Sequence, residues 1–478
     1  MATGPARHGL AHDAWITIVS RFGLAVLIFG TDVLLARLLG PAAKGRFSLV
    51  LLTSQLAALI VGWGMDDALG VLSARDKRTA RRGMANAMVW SAVVGGAAVL
   101  VACAMYGLPT SVRPTGPLTA VVPNLNQTQF AMSALAIPGE TFFALGLYAL
   151  LGRRLVSIYA GIRLLRRAIL LVFVVAAAAI ARLSLEVALV TNLAALVATA
   201  LAIVWAARRE GVLGLQPSAA VLREQLAFGS RNIAGDMAER LQLRADSFIV
   251  NAQLGVHATG VYSVTSGLAE TLWYIPNALG TVMFSRAVGS AGDAARVAAA
   301  LTRTTIAVAL ATAIPTFVIG PRLVRIFYGT QFTDAGVALR YILPGIVAYS
   351  VVAVQSRYVV GRGRPGTSTL IMGVGLLVNI GCNLVLVPRL GITGAAMSSS
   401  LSYAATALLM LTVFLRLSGL GWREAILLRR SDIRSAFRFL VAIADRLRGR
   451  RHGPVVGVRG GDDTAELVIG EREPGEER

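Results

Sequence analysis

Between Phe228 and Val250 the chain reads FGSRNIAGDMAERLQLRADSFIV, an apolar frame that carries Arg231, Asp236, Glu239, Arg240, Arg244 and Asp246. Wound as a helix at about 100° per residue, Asp236, Glu239 and Asp246 share one arc, with Asn232 beside them. Arg240 and Arg244 flank that arc on one side and Arg231 on the other, while Ala234, Met237, Leu241 and Phe248 fill the opposite face. Two chemistries suit such a set. Guanidinium groups stay charged and bind phosphate oxygens in pairs, so the arginines fit a phosphate-bearing ligand. The acids fit proton or cation sites or, at i,i+4 spacing, partners that neutralise the arginines.

A lighter set lies in the first apolar run, with Arg21, Asp32 and Arg37. Asp32 falls about three turns past Arg21, so the two share a face at different depths. Arg37 is near the end of the run, where its stem can snorkel. Glu140, Arg357, Asn379 and Asn383 are polar points in other apolar runs, and the last two are spaced to join helices by hydrogen bonds. An ionisable group in mid-span costs about 2.5–3.5 kcal/mol on insertion scales, so these residues should face protein or a wet cavity.

The elements that hold them are set by composition. Of 478 residues, 55% are hydrophobic and only 15% charged, with a mean hydropathy of +0.67. Apolar stretches of about 20 residues, each long enough to cross a bilayer, recur almost from end to end. The fold class is all-α, a polytopic membrane protein of about twelve transmembrane helices in two pseudo-symmetric six-helix bundles. The spans are expected near 15–38, 47–71, 84–107, 130–151, 164–182 and 185–206, then 225–252, 258–285, 297–320, 336–360, 367–387 and 392–415. The domains are a cytoplasmic N-terminus (1–14), a bundle over 15–207, a linker over 208–224 and a second bundle over 225–415. A cytoplasmic tail follows from 416.

The net charge of +21 reads as a positive-inside bias and not as a nucleic-acid interface. RDKRTARR (75–82), Arg153–Arg154 with RLLRR (163–167), RRE (208–210) and RGR (362–364) all fall on one side, which carries about twice the Lys and Arg of the other. Both termini are therefore expected in the cytoplasm, although GPAAKGR (40–46) runs against the bias. Cys103 and Cys382 lie in apolar runs and read as small core residues. The first run begins near Trp15 with no Ala-x-Ala site after it, so no cleaved signal peptide is expected.

In the tail, residues 416–452 form a basic amphipathic helix, with Ile426, Ile433, Phe437, Leu440, Ala444 and Leu447 on one face. It suits either an anionic lipid surface or the protein's own cytoplasmic loops. The Gly- and Glu-rich residues 453–478 are expected to be disordered.

The chain also repeats itself. LGPAAKGRFS (39–48) and LGVHATGVYS (254–263) match without a gap, and each joins a charged span to a long second one. Gly40 and Gly255 can end a helix in a left-handed conformation, and Gly45 and Gly260 let the next helix start close by. Both units start on the same side, so the repeats are parallel, related by an axis along the membrane normal.

Two six-span halves with this turn after spans one and seven, ARLLGPAAKGRFSLV (36–50) and the opening RLGITGAAMSSSLSY (389–403) of span twelve resemble the multidrug/oligosaccharidyl-lipid/polysaccharide exporter superfamily. Over about residues 15–415 the likeness is to its polysaccharide-biosynthesis flippases. It implies a V-shaped pair of bundles around a central cavity, alternating access, a bacterial inner (cytoplasmic) membrane and a polyprenyl-diphosphate-linked oligosaccharide as cargo. Arg21, Arg231, Arg240 and Arg244 are then the candidate cargo-binding residues. Asp32, Asp236, Glu239 and Asp246 are the candidate ion-coupling residues or charge partners.

Other classes have less to stand on. There is no P-loop, and no cofactor or metal is expected, since His8, His12, His257 and His452 lack ligand spacing. An assembly enzyme would need a catalytic acid or base on a sizeable outer loop, and the 108–129 loop holds no acid. The Asn126-Gln127-Thr128 triplet is a sequon only by its letters. Within the same fold, a cation-coupled multidrug exporter stays open, as does a lipid II flippase. The expected partners are the lipid-linked cargo, anionic lipids and glycan-assembly enzymes.

Overall fold

The computed structural model describes residues 10–107, 116–180, 183–287, 294–429, 432, 455–461 and 464–470, with the backbone alone over 10–22, 274–287 and 455–470. The helices are α1 (Leu10–Gly62), α2 (Met65–Arg75), α3 (Lys77–Tyr106), α4 (Leu118–Val121), α5 (Gln127–Gly152), α6 (Val156–Ile180), α7 (Leu185–Arg209), α8 (Ala219–Ala287), α9 (Ala294–Tyr328), α10 (Thr333–Gly361), α11 (Pro365–Leu390), α12 (Ile392–Ser418) and α13 (Trp422–Ile426). α1 and α8 each bend once and so make two limbs. Counted that way, the described residues hold twelve long helical segments, one for each expected span. Eight helices are by themselves long and apolar enough to cross a bilayer, and the chain is a multi-pass membrane protein.

The two bends are the paired turns. Gly40 has φ 72°, ψ 173° and Gly255 has φ 80°, ψ −179°. This is not the expected left-handed cap, whose ψ would lie near about 47°. It is a region open in practice only to glycine, and it sends the chain straight on into the next limb. Beside the bends the two repeats cross. A Cβ on Gly45 would overlap the Val256 carbonyl oxygen, and one on Gly260 would overlap the Pro41 carbonyl oxygen. Backbone lies on backbone at both positions.

Other boundaries moved for local reasons. The expected span 47–71 breaks at Trp63 and Gly64, both at positive φ. Two glycines flank Trp63, and Asp66 and Asp67 favour the first turn of a new helix. The arginine clusters at 77–82 and 163–167 are not loops; they occupy helical turns of α3 and α6. Asp76 starts α3 by accepting from the Thr79 amide at 2.8 Å and the Thr79 hydroxyl at 2.7 Å. Those bonds hold its carboxyl below the usual carboxylate range. The cap is therefore intact at neutral pH and lost only as pH falls through that lowered value. Asn126, the sequon residue, instead closes a capping box with Gln129 at the start of α5.

Packing divides the chain into two compact units, residues 1–265 with 324–335 and 383–395, and residues 266–323, 336–382 and 396–478. In the first, α5 packs on α1, α2, α3 and α7. One apolar cluster there includes Leu69, Met84, Leu145 and Ile203. Another includes Phe47, Tyr106, Phe130 and Leu189, with the Tyr106 and Phe130 rings stacked at 3.7 Å. The first limb of α8 belongs to this unit. In the second unit Trp273, Tyr349 and Tyr403 stack together, with centroids 5.0–5.4 Å apart.

The tail departs from expectation. Gly419, at φ 71°, ends the helical run after α12, and the five-residue α13 follows it among the described residues. Ala425 and Ile426 pack against Ala298, Tyr358 and Phe414, so this part of the tail lies on its own protein. Buried Arg303 fixes it through Asp432 (Nε to Oδ2, 2.8 Å) and the Glu424 carbonyl. Residues 433–452 of the expected amphipathic helix lie outside the described residues. The segment 453–478, expected to be disordered, includes an antiparallel hairpin of β1 (Val455–Gly461) and β2 (Thr464–Gly470). Val455, Val456, Val458, Val468 and Ile469 supply strand propensity that the overall composition hides.

The crossing predicts a contrast between two glycines of α8. Gly260→Val is expected to destabilise the purified protein by about 1–3 kcal/mol or more, because the Pro41 backbone cannot yield. Gly267→Ala, with nothing within 4 Å of its added methyl, is expected to be neutral or to stabilise by up to about 1 kcal/mol. Thermal unfolding in detergent measures both.

Candidate functional site

Membrane helices lack the hydrophobic drive of water, so the first limb of α8 is held by close approach and hydrogen bonds. At its N-terminal end, a Cβ on Gly229 would overlap the Trp63 carbonyl oxygen, and one on Gly64 would lie 2.8 Å from the Gly229 carbonyl oxygen. Asn86 of α3 donates to Gln225 at 3.0 Å, and Arg75 of α2 pairs with Glu224 at 2.5 Å. At the other end, Asn251 donates to the Pro123 carbonyl at 2.8 Å, and the Gly45–Gly260 crossing follows.

Between these clamps the same face changes character. Gln225, Gly229 and Ile233 are buried at one end and Ser247, Val250 and Asn251 at the other. By helical winding Asp236, Glu239, Arg240 and Leu243 continue that face. Yet Asp236 and Leu243 are only half-buried, and Glu239 and Arg240 are exposed. The middle turns of the limb, between the two backbone contacts, therefore present an accessible polar face. Half-buried Asp66 and Asp67, in the first turn of α2, lie within electrostatic reach of Asp236, and Asp67 also of Arg240. Tyr148 of α5 lies within electrostatic reach of Asp66, Asp67 and Arg240. Among the described residues Arg240 makes no direct ion pair.

The other expected site residues are placed as follows. Arg244 is half-buried one turn beyond Arg240. Arg231 is exposed but nine residues before Arg240, which puts it on the opposite side of the helix. The side chain of Arg21 lies outside the described residues. Asp246 leaves the arc expected for it. It is buried, accepts from the Tyr262 hydroxyl across the α8 bend, and accepts from the Ser247 amide at 2.7 Å. Asp32 is likewise tied to Lys44 across the α1 bend and lies 3.2 Å from the Tyr328 hydroxyl. Each repeat thus pins its own hairpin with an acid of its first limb.

Those pairings explain two anomalies. Lys44, which ran against the charge bias, is 4% exposed and neutralised by Asp32. Arg37 does not snorkel; it donates to the Ile326 and Phe327 carbonyls and caps the C-terminal end of α9. Arg166, read as a loop charge, enters the bundle and forms a bidentate pair with buried Glu140, its guanidinium 4.5 Å from the Phe143 ring centroid.

Sequence reasoning missed Asp66, Asp67 and Tyr148. The signal was present: adjacent acids inside a notional apolar span are costly enough to mark a polar site.

The fold as a whole has counterparts among solved structures. The lipid II flippase MurJ in an inward closed conformation superposes with a TM-score of 0.69 over 90% of this chain and 93% of that one, at 12% identity. A multidrug resistance MATE family transporter of the MOP superfamily, outward-facing, gives 0.63 over 86% and 97% at 16% identity. A MOP superfamily transporter from Pyrococcus furiosus gives 0.62 over 86% and 95% at 15% identity. The chain shares the fold of these transporters. The sequence profile of the polysaccharide biosynthesis protein family matches residues 128–336, a stretch that includes the whole first limb of α8. These findings bear out the resemblance carried by the paired turns. No curated protein matches the chain in sequence.

In this fold the Glu140–Arg166 pair fastens α5 to α6. Glu140→Gln is expected to cost about 3–5 kcal/mol by stranding Arg166 in an apolar setting. The paired change Glu140→Met with Arg166→Met should recover most of that loss. Chemical unfolding of the three variants in detergent checks the order.

Proposed function

We propose that the chain is a flippase that moves a polyprenyl-diphosphate-linked oligosaccharide from the inner to the outer leaflet of a bacterial cytoplasmic membrane by alternating access. The observation that carries this reading is Arg240, an exposed guanidinium in mid-limb that makes no direct ion pair among the described residues. A diphosphate offers it a bidentate partner of the right charge while the prenyl tail stays in lipid. The match to polysaccharide biosynthesis proteins supports a glycan precursor as cargo. Arg21 and Arg244 are assigned to the same headgroup, and Arg231 to its approach. Both termini and the basic tail lie on the cytoplasmic side in this reading, where the tail meets anionic lipid or glycan-assembly enzymes.

The acids around Arg240 favour a second reading, a cation-coupled multidrug exporter. Asp66, Asp67 and Asp236 lie within electrostatic reach of one another, and a cationic drug or coupling ion suits that gathering of acids.

Flipping of labelled polyprenyl-diphosphate sugar in proteoliposomes separates the two. Wild type is expected to flip it, and Arg240→Ala and Arg21→Ala to lose about tenfold or more in rate, the worth of one charge-assisted hydrogen bond. Full activity in both variants removes these residues as cargo ligands. No flipping by wild type across several sugars favours the exporter.

A further inference from the structure

Two arginines in the first turns of α6 are used differently. Arg166 is committed to Glu140 and rests on the Phe143 ring. Arg163, three residues earlier, makes no ion pair among the described residues. Its guanidinium lies 5.5 Å from the Tyr159 ring centroid and donates to the Tyr159 hydroxyl at 3.3 Å. A guanidinium has five N–H donors, and that bond uses one. Arg163 stands about 10 Å along the axis from the start of α6 at Val156, so snorkelling to water accounts for some exposure. Snorkelling does not account for its direction. Leu170 and Val174, seven and eleven residues on and so on the same stripe, are 2% and 0% exposed. Gly161 and Leu165, about 200° round the helix, are exposed. Arg163 thus sits on the protein-facing stripe yet is only half-buried. The stripe that is sealed at Leu170 and Val174 is open at Arg163.

Its surroundings connect it to the candidate cargo residues. Leu164, the next residue, meets α1, where a Cβ on Gly23 would lie 3.4 Å from its Cδ2. Arg21 stands two residues before Gly23 on that helix. Tyr148 of α5 lies within electrostatic reach both of Tyr159, the ring partner of Arg163, and of Arg240.

We propose that Arg163, held on Tyr159, is an entry site that takes the diphosphate of a prenyl-linked ligand before the headgroup reaches Arg240. The ligand's identity rests on the flippase reading; the anion site itself does not. In that reading the end of the bundle where α5 gives way to α6 is cytoplasmic, the side from which cargo comes. Tyr159 is a positioning residue: it fixes the plane of the guanidinium, so the remaining N–H groups form the fork that suits phosphate oxygens.

Equilibrium binding of geranylgeranyl diphosphate to the purified full chain in phosphatidylcholine nanodiscs tests the site, with geranylgeraniol as the tail-only control. Arg163→Gln should weaken the diphosphate by about tenfold, as loss of a charge-assisted hydrogen bond does, and leave geranylgeraniol unmoved. Arg163→Lys keeps a charge that can snorkel but has no fork, so it should stay at least about threefold weaker than wild type. Tyr159→Phe should weaken binding about threefold, and by no further amount in the Arg163→Gln background. In proteoliposomes Arg163→Gln should raise KM for labelled lipid-linked sugar about tenfold with kcat within about twofold, as expected of a contact made on entry. Wild-type affinity in both Arg163 variants overturns the proposal, as does loss of geranylgeraniol along with the diphosphate. Additive effects of Tyr159→Phe and Arg163→Gln, or a fall in kcat with KM unmoved, overturn it too. Inorganic pyrophosphate, without a tail to bury, should bind at least about tenfold more weakly; equal affinity assigns the site to a free diphosphate and overturns the lipid assignment. If Arg163 governs diphosphate binding as stated but wild type flips no lipid-linked sugar, the anion site stands and the cargo reading falls.

Discussion

Backbone touches backbone where the two repeats cross, and the remainder of the first unit is arranged around that contact. Gly45 faces the Val256 carbonyl and the Gly260 amide, and Gly260 faces the Pro41 carbonyl and the Gly45 amide. Each glycine meets the same part of the opposite turn, so the pseudo-two-fold of the sequence is realised atom by atom. In a bilayer, where lipid tails are as apolar as leucine, helices hold together by close fit and buried polar bonds. A crossing that admits no Cβ gives the closest fit available. A second one, at Gly64 and Gly229, closes the other end of the same helix pair.

Two clamps on one helix define what lies between them. Where the backbones touch there is no room for a ligand; where they do not, long charged side chains line the gap. The charges of the membrane region therefore sort by depth and partner. Asp32 with Lys44, Asp246 with Tyr262 and Glu140 with Arg166 are closed pairs that fasten hairpins or helices. Half-buried Asp236 and exposed Arg240 lie along mid-limb, within electrostatic reach of Asp67. A buried, satisfied ion pair is poor material for binding, because disrupting it strands a charge. An exposed arginine with acids near but not touching is good material for exchange.

The tail follows a different logic. Arg303 is 4% exposed and Asp432 3%, so the first turns after α12 are fastened to the second unit by a desolvated ion pair and a small apolar cluster. Such a pair contributes register more than stability.

Helix type, number and order were legible in the sequence, because spans of about 20 apolar residues have no other stable form in a bilayer. The paired turns were legible too, since glycine at a fixed spacing signals a backbone that a side chain would obstruct. Partner choice was not. Arg166 and Arg37 look alike as arginines near span ends, yet one enters the bundle to meet Glu140 and the other caps α9. Asp236 and Asp246 share an arc on a helical wheel, but Asp246 is buried and bonded to Tyr262 across the bend, whereas Asp236 is half-buried in mid-limb. A wheel records angle and discards depth and neighbours. The terminal hairpin escaped because composition averages over residues, while strand pairing depends on their register. The sequence by itself determined that this protein spans a membrane in two repeated halves with charge concentrated in its seventh span, since hydropathy, glycine placement and charge are local properties. Which of those charges stand free was decided by tertiary structure alone, because a charge is neutralised by whatever the fold brings beside it.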